Sequence, residues 1–83
     1  MKHASAATLR QIQPLLAELR ALPGLKEKSA GAFYCGGSAF LHFHEDPAGL
    51  FADMKVGGDW ARRAVNSAAA RTKLVRDARR LLT

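Results

Sequence analysis

Three glycine-containing bends divide the middle of the chain into short segments. Gly36-Gly37 and Gly57-Gly58 can each close a two-residue β-hairpin loop, because glycine adopts the positive φ angles that such loops require. Between them, Asp46-Pro47-Ala48-Gly49 is a typical four-residue turn, with proline second and glycine last. These bends predict an antiparallel meander with strands at residues 29–35, 39–45 and 50–56. Residues 60–65 form either a fourth strand or the lead-in to a helix, and we expect the strand.

One helix is predicted before this meander in the sequence and one after it. The first apolar stripe has helical spacing and consists of Leu9, Ile12, Leu16 and Leu19. Pro14 falls inside this stripe, so the helix either kinks there or starts near Gln13 with Pro14 in its first turn. The second stripe consists of Ala70, Leu74, Ala78 and Leu81. We therefore predict a single domain, residues 1–83, of the two-layer α+β class, with an N-terminal helix, an antiparallel meander of three to four strands and a C-terminal helix.

The loop lengths also predict which side chains lie opposite each other, since residues alternate between the two faces of a strand. The opposed pairs are Phe33 with Phe40, Ala32 with Leu41, His42 with Asp53, Lys55 with Trp60, and Asp53 with Arg62. One face is mostly apolar, includes Tyr34, and would carry both helices. The other face is open and mixes aromatic with charged side chains.

His42 and His44 lie on that open face, two residues apart on one strand. With Asp53 as a third ligand they would form a metal site, and a His42–Asp53 dyad would suit acid–base chemistry. The sequence supplies neither a clear fourth ligand nor a nucleophile beside them, and its single cysteine, Cys35, excludes a four-cysteine zinc site. We therefore predict no catalytic residues, no metal and no cofactor, and interpret both histidines as part of a solvated strand face. A metal-binding or catalytic role is the alternative.

The charge balance favours a polyanionic partner. The chain carries a formal net charge of +6, with a pI near 10.3, which attracts nucleic acid or an acidic protein over long range. The alternative is that this charge only keeps the molecules apart in solution. The predicted binding residues are Phe33, Phe40, His42, His44, Asp53, Lys55, Trp60, Arg62, Arg76 and Arg80.

The residue types on the open face favour a non-enzymatic binding module. Aromatic rings edged by cations are typical of surfaces that contact single-stranded nucleic acid, and the basic C-terminal helix would add phosphate contacts. The same aromatic and arginine content is also typical of protein interfaces. A homodimer or a protein partner on the same face is therefore the alternative to nucleic acid.

The segment from Leu22 to Val56 resembles the front half of the MmcQ/YjbR-type family of small bacterial proteins. The matching features are Leu22-Pro23-Gly24, Glu27-Lys28, the aromatic hairpin with Phe33 and Phe40, and Lys55 at the end of the third strand. Trp60 would match the family's later aromatic strand. The resemblance implies a two-layer α-β-β-β core with a DNA-binding-like fold, and it brings no catalytic residues with it. The chain lacks the helix that the family places before the aromatic strand, so a related, shorter family is the alternative.

The sequence predicts neither a membrane span nor a secretory signal. It has no run of about 18 apolar residues, and its first residues are polar too early for a signal peptide. A single cysteine is typical of a reducing compartment. We therefore predict a cytoplasmic protein without membrane contact.

Overall fold

The computed structural model describes residues 2–83, in which six strands form one antiparallel sheet and three helices cover one of its faces. In chain order the elements are β1 (Lys2–His3), α1 (Ala6–Gln11), α2 (Gln13–Arg20), β2 (Leu25–Ser29), β3 (Ala32–Cys35), β4 (Ser38–Asp46), β5 (Gly49–Val56), β6 (Asp59–Ala64) and α3 (Ala68–Leu81). The strand order is β2-β3-β4-β5-β6, and β1 pairs with the part of β4 that β3 leaves free. The predicted α+β class, with helices at both ends of an antiparallel sheet, is confirmed.

The predicted N-terminal helix is two helices that meet at Ile12. Ser5 caps α1, because its side-chain oxygen accepts a hydrogen bond from the Thr8 N–H at 3.2 Å. Pro14 lies in the first turn of α2, where the N–H that proline lacks would have no helical partner. The predicted start near Gln13, with Pro14 in the first turn, is therefore correct for α2. The residues before it form a separate short helix, α1.

The strands from β4 to β6 pair as the loop lengths predict. The confirmed pairs are His42 with Asp53, Lys55 with Trp60, and Asp53 with Arg62. The expectation that residues 60–65 form a strand is also confirmed, since β6 covers nearly all of them. The second half of the sheet therefore presents its side chains in the predicted order.

A β-bulge at Phe40 changes the pairing of β3 with β4. The two strands start in the predicted register at the Gly36-Gly37 loop, but Phe40 is then an extra residue on β4, so that Phe33 lies opposite Leu41. Because of this bulge, the predicted pairs Phe33 with Phe40 and Ala32 with Leu41 are wrong. Phe33 and Phe40 are both buried, with 1% and 8% relative exposure. They belong to the core and not to the open face.

The sequence prediction also missed the hairpin that β2 and β3 form. Residues 29–35 are not one strand, because the chain turns at Ala30-Gly31. Gly31 has a φ angle of 74°, and a Cβ atom at this position would lie 2.8 Å from Cδ2 of Leu9. Glu27 accepts a hydrogen bond from the Gly31 N–H at 2.9 Å and another from Arg20 of α2 at 3.2 Å. These contacts hold the hairpin against the N-terminal helices.

The hydrophobic core lies between the helices and the inner face of the sheet. Its fully buried members include Leu41 and Met54 from the sheet, Leu19 from α2 and Leu74 from α3. In residues 2–83 no helix covers the opposite side of the sheet, which we call the outer face. None of the described helices is long and apolar enough to cross a membrane.

Candidate functional site

The outer face brings together most of the polar and aromatic side chains of the sheet. These side chains alternate with core residues: on β4, His42 and His44 alternate with the buried Leu41 and Phe43. The charged and aromatic residues of the outer face are His3, Lys26, Lys28, Tyr34, His42, His44, Phe51, Asp53, Lys55, Trp60 and Arg62. Six of the predicted binding residues, those from His42 to Arg62 in the sequence, therefore lie on the outer face. Phe33 and Phe40 lie in the core on the opposite side of the sheet.

Asp53 is the buried acid of the outer face, with 5% relative exposure. Arg62 on the neighbouring strand donates two hydrogen bonds to it, from Nε at 2.7 Å and from Nη2 at 2.8 Å. His44 Nδ1 lies 3.0 Å from the second carboxylate oxygen. The hydrogen bonds from Arg62 hold the pKa of Asp53 below its ordinary value, so the carboxylate is charged at neutral pH. The predicted partner, His42, lies directly opposite Asp53, but the histidine that contacts the carboxylate is His44.

The outer face gathers all three histidines of the chain into one cluster. β1 places His3 opposite His44 at the edge of β4. The ring centroids of His3 and His44 are 4.6 Å apart, and those of His42 and His44 are 4.8 Å apart. One ring nitrogen of each histidine lies within 4.8 Å of those of the other two. The sequence alone does not reveal His3 as a member of the cluster, because a two-residue strand has no recognisable pattern and its partner on β4 is far along the chain.

His42 is the inner member of the histidine cluster. Its Nδ1 atom is buried and has no hydrogen-bond partner among the described residues. Burial lowers the pKa of His42, with a smaller contribution from the neighbouring His44, so the ring is neutral near pH 7. The ring centroid of Trp60 lies 4.6 Å from that of His42. A buried imidazole nitrogen without a partner has lost its hydration, and an added hydrogen-bond donor or a metal ion would compensate for that loss.

Two cation–aromatic pairs flank the histidine cluster. Lys55 Nζ lies 5.0 Å from the ring centroid of Trp60, and Lys28 Nζ lies 4.8 Å from that of Tyr34. Trp60 is 45% exposed, unusually high for tryptophan. The sequence analysis assigned Tyr34 to the apolar face, and this was wrong because the bulge at Phe40 reverses the faces of β3. Lys28 was missed because it belongs to the unpredicted hairpin.

The basic side chains of α3 lie on the other side of the molecule. Arg76 and Arg80 are exposed, but α3 packs on the inner face of the sheet through Leu74 and Ala78. Arg76 and Arg80 therefore do not share a surface with Trp60. A ligand lying flat on the outer face would not touch them.

A cleft of about 460 Å³ opens where β1 and β3 meet along β4. Its lining includes His3 and His42 of the histidine cluster, together with the buried Leu9 and Gly31. The cleft connects the histidine cluster with solvent. The histidine cluster is therefore accessible to small solutes, although the Nδ1 atom of His42 is buried.

The sequence matches no protein-family model, no curated protein and no solved structure. The chemistry of the outer face is consequently the basis for the functional proposal.

Proposed function

We propose that this protein is a non-enzymatic binding module that holds a short segment of single-stranded nucleic acid on the outer face. The observation that carries the proposal is the exposed ring of Trp60, with Lys55 beside it and a second cation–aromatic pair, Tyr34 with Lys28, on the same uncovered face. Bases stack on exposed rings, and the adjacent ammonium groups attract the phosphates that follow each base.

The spacing of the two aromatic rings suits two or three nucleotides. Tyr34 lies on β3 and Trp60 on β6, three strand spacings apart, which is about 14 Å across the sheet. Antiparallel sheets that bind RNA use aromatic residues on central strands to stack two or three bases. The half-buried Phe51 and the histidine cluster lie on the same face, farther along β4 and β5, and offer further flat surface.

The charges of the outer face also favour a polyanion. Lys26, Lys28 and Lys55 are cationic, and the acid among them, Asp53, is neutralised by Arg62. We infer that Arg76 and Arg80 on α3 act at long range, raising the rate of encounter without contacting the bound segment. A cytoplasmic location and a relationship to the MmcQ/YjbR-type proteins belong to the same proposal. The two-layer arrangement of helices on an antiparallel sheet agrees with what that resemblance implies.

Fluorescence anisotropy with a labelled single-stranded oligonucleotide of about 10 nucleotides tests the proposal. If Lys26, Lys28 and Lys55 each contact one phosphate, log K will fall with log salt at a slope of about −2. Trp60→Ala will weaken binding about tenfold or more, because it removes one stacking ring. Val56→Ala is the matched control: Val56 belongs to the same hairpin and is 40% exposed, but its side chain lies on the α3 side. Equal affinity of the Trp60→Ala and Val56→Ala variants would contradict the proposal.

A second copy of this chain is the alternative occupant of the outer face. It is favoured by the exposed Trp60 on β6, which is also an unpaired edge strand within residues 2–83. In that case light scattering will show a dimer at micromolar concentration that added salt weakens little. Trp60→Glu will restore the monomer, since burying an unpaired carboxylate opposes association. A monomer at these concentrations would exclude this alternative.

A further inference from the structure

We propose that His3, His42 and His44 form a zinc-binding site on the outer face. The fold brings all three histidines of the chain together from two strands, β1 and β4. Imidazole is a preferred zinc ligand, and three histidines with one exchangeable position are an established zinc coordination set. The inference does not depend on nucleic-acid binding and revises the expectation of no metal that the sequence alone gave.

The geometry of the cluster requires only a small contraction to bind zinc. The three ligand nitrogens lie within 4.8 Å of one another. In a tetrahedral site with Zn–N bonds of about 2.0–2.1 Å, neighbouring ligand nitrogens are about 3.3 Å apart. Rotation of the imidazole rings about their side-chain torsions can close this difference. His3 is exposed, so its side chain has room to move toward the other two.

A carboxylate lies beside one ligand of the cluster. Asp53 Oδ2 is 3.0 Å from His44 Nδ1, so zinc coordination through Nε2 would let Nδ1 carry the proton and donate it to this carboxylate. A carboxylate behind a metal-binding histidine is the usual arrangement, because it fixes the tautomer and raises the basicity of the free nitrogen. Arg62 in turn holds Asp53 through two hydrogen bonds. Asp53 is therefore positioned to support a His44–zinc bond.

His42 supplies the second reason to expect an ion at this position. Its buried Nδ1 has no partner among the described residues, which leaves a desolvated lone pair or N–H group in the cluster. Coordination of zinc through Nδ1 would give this atom the partner that it lacks in the structure. The cleft beside His3 and His42 gives access for the ion and for the water that would complete its coordination.

Isothermal titration calorimetry of the full chain, purified without a polyhistidine tag, tests the site with ZnCl₂ as the probe. We expect one zinc ion per chain. His3→Gln, at an exposed position that cannot disturb the core, will weaken zinc binding by more than the roughly 10–100-fold that loss of a supporting carboxylate costs. Lys2→Gln, at the adjacent exposed position on β1, is the control and will bind zinc as the parent chain does.

NMR spectra of the imidazole nitrogens identify the ligand atoms directly. On zinc addition the ring-nitrogen resonances of all three histidines will shift together, and His44 will show Nε2 bound with the proton kept on Nδ1. Absence of zinc binding would overturn the proposal. So would unchanged affinity in the His3→Gln variant, or zinc-induced shifts that are confined to residues around Cys35.

Discussion

Phe33 and Trp60 are both aromatic residues on strands, and a single bulge residue separates their roles. The extra residue at Phe40 places Phe33 in the core with 1% exposure, while Trp60 remains 45% exposed on the outer face. We expect Phe33→Ala to lower the free energy of unfolding by about 3–5 kcal/mol, since it leaves a large cavity. Trp60→Ala will change it by less than about 1 kcal/mol. Urea unfolding of both variants measures this difference, and similar losses in the two would show that the assignment of faces is wrong.

Gly31 is required at its position for two separate reasons. Its φ angle of 74° is unfavourable for residues with a side chain, and a Cβ atom there would press on the buried Leu9. Gly36 has a φ angle of 58° with nothing within 4 Å of a Cβ position, so Gly36→Ala is a matched control that carries backbone strain alone. We expect Gly36→Ala to cost about 1–2 kcal/mol.

Gly31→Ala will cost about 1–3 kcal/mol more than the Gly36 variant, because Leu9 must be displaced within a packed core. Thermal or urea unfolding of the two variants measures the difference. Equal stability of the two would show that the contact of the β2–β3 turn with α1 does not exist in solution.

At the scale of elements, two ion pairs connect helices to strands. Glu27 of β2 accepts hydrogen bonds from Arg20 of α2, and Asp77 of α3 accepts one from Arg63 of β6 at 2.8 Å. The hydrogen bond from Arg20 lowers the pKa of Glu27, and hydrogen bonds from Lys73 and Arg63 lower the pKa of Asp77. The carboxyl groups of Glu27 and Asp77 therefore bind a proton less readily in the folded chain than in the unfolded chain.

These shifts predict the sign of the acid response. The stabilisation that they provide is complete above the ordinary carboxyl pKa of about 4 and is lost as the pH falls through the lowered values of the folded chain. We expect urea unfolding to show stability declining below pH 4, with a smaller decline in Glu27→Gln. Glu18→Gln, an exposed carboxyl on α2, is the control and will follow the parent chain. Parallel curves for Glu27→Gln and the parent would contradict the role of this ion pair.

The sequence could predict those parts of the sheet whose loops carry explicit turn chemistry. Asp46-Pro47-Ala48-Gly49 and Gly57-Gly58 have one compatible loop length each, so the pairs from His42 to Arg62 follow from counting. The bulge at Phe40 has no such marker in the sequence. It arises because packing both phenylalanines in the core outweighs the loss of one paired position between the strands. The Ala30-Gly31 turn depends on a helix contact, and the position of His3 depends on a tertiary strand pairing. Neither is encoded in local pattern.

At the scale of the whole molecule, the sheet separates two positively charged sides. One side is the outer face, with its aromatic rings and the histidine cluster, and the other is the exposed surface of α3 with Arg76 and Arg80. The net charge of +6 does not distinguish between them, because it attracts polyanions to either side. The exposed aromatic rings do distinguish them, since the described part of α3 has no aromatic side chain.

The most direct test of the account is an amide chemical-shift titration of the ¹⁵N-labelled chain with a short single-stranded oligonucleotide. If the outer face binds the oligonucleotide, shifts will concentrate on β3, β5 and β6, around Tyr34, Lys55 and Trp60, and they will disappear as salt rises. Shifts concentrated on α3 around Arg76 and Arg80, or no shifts at low salt, would show that the outer face is not a nucleic-acid surface.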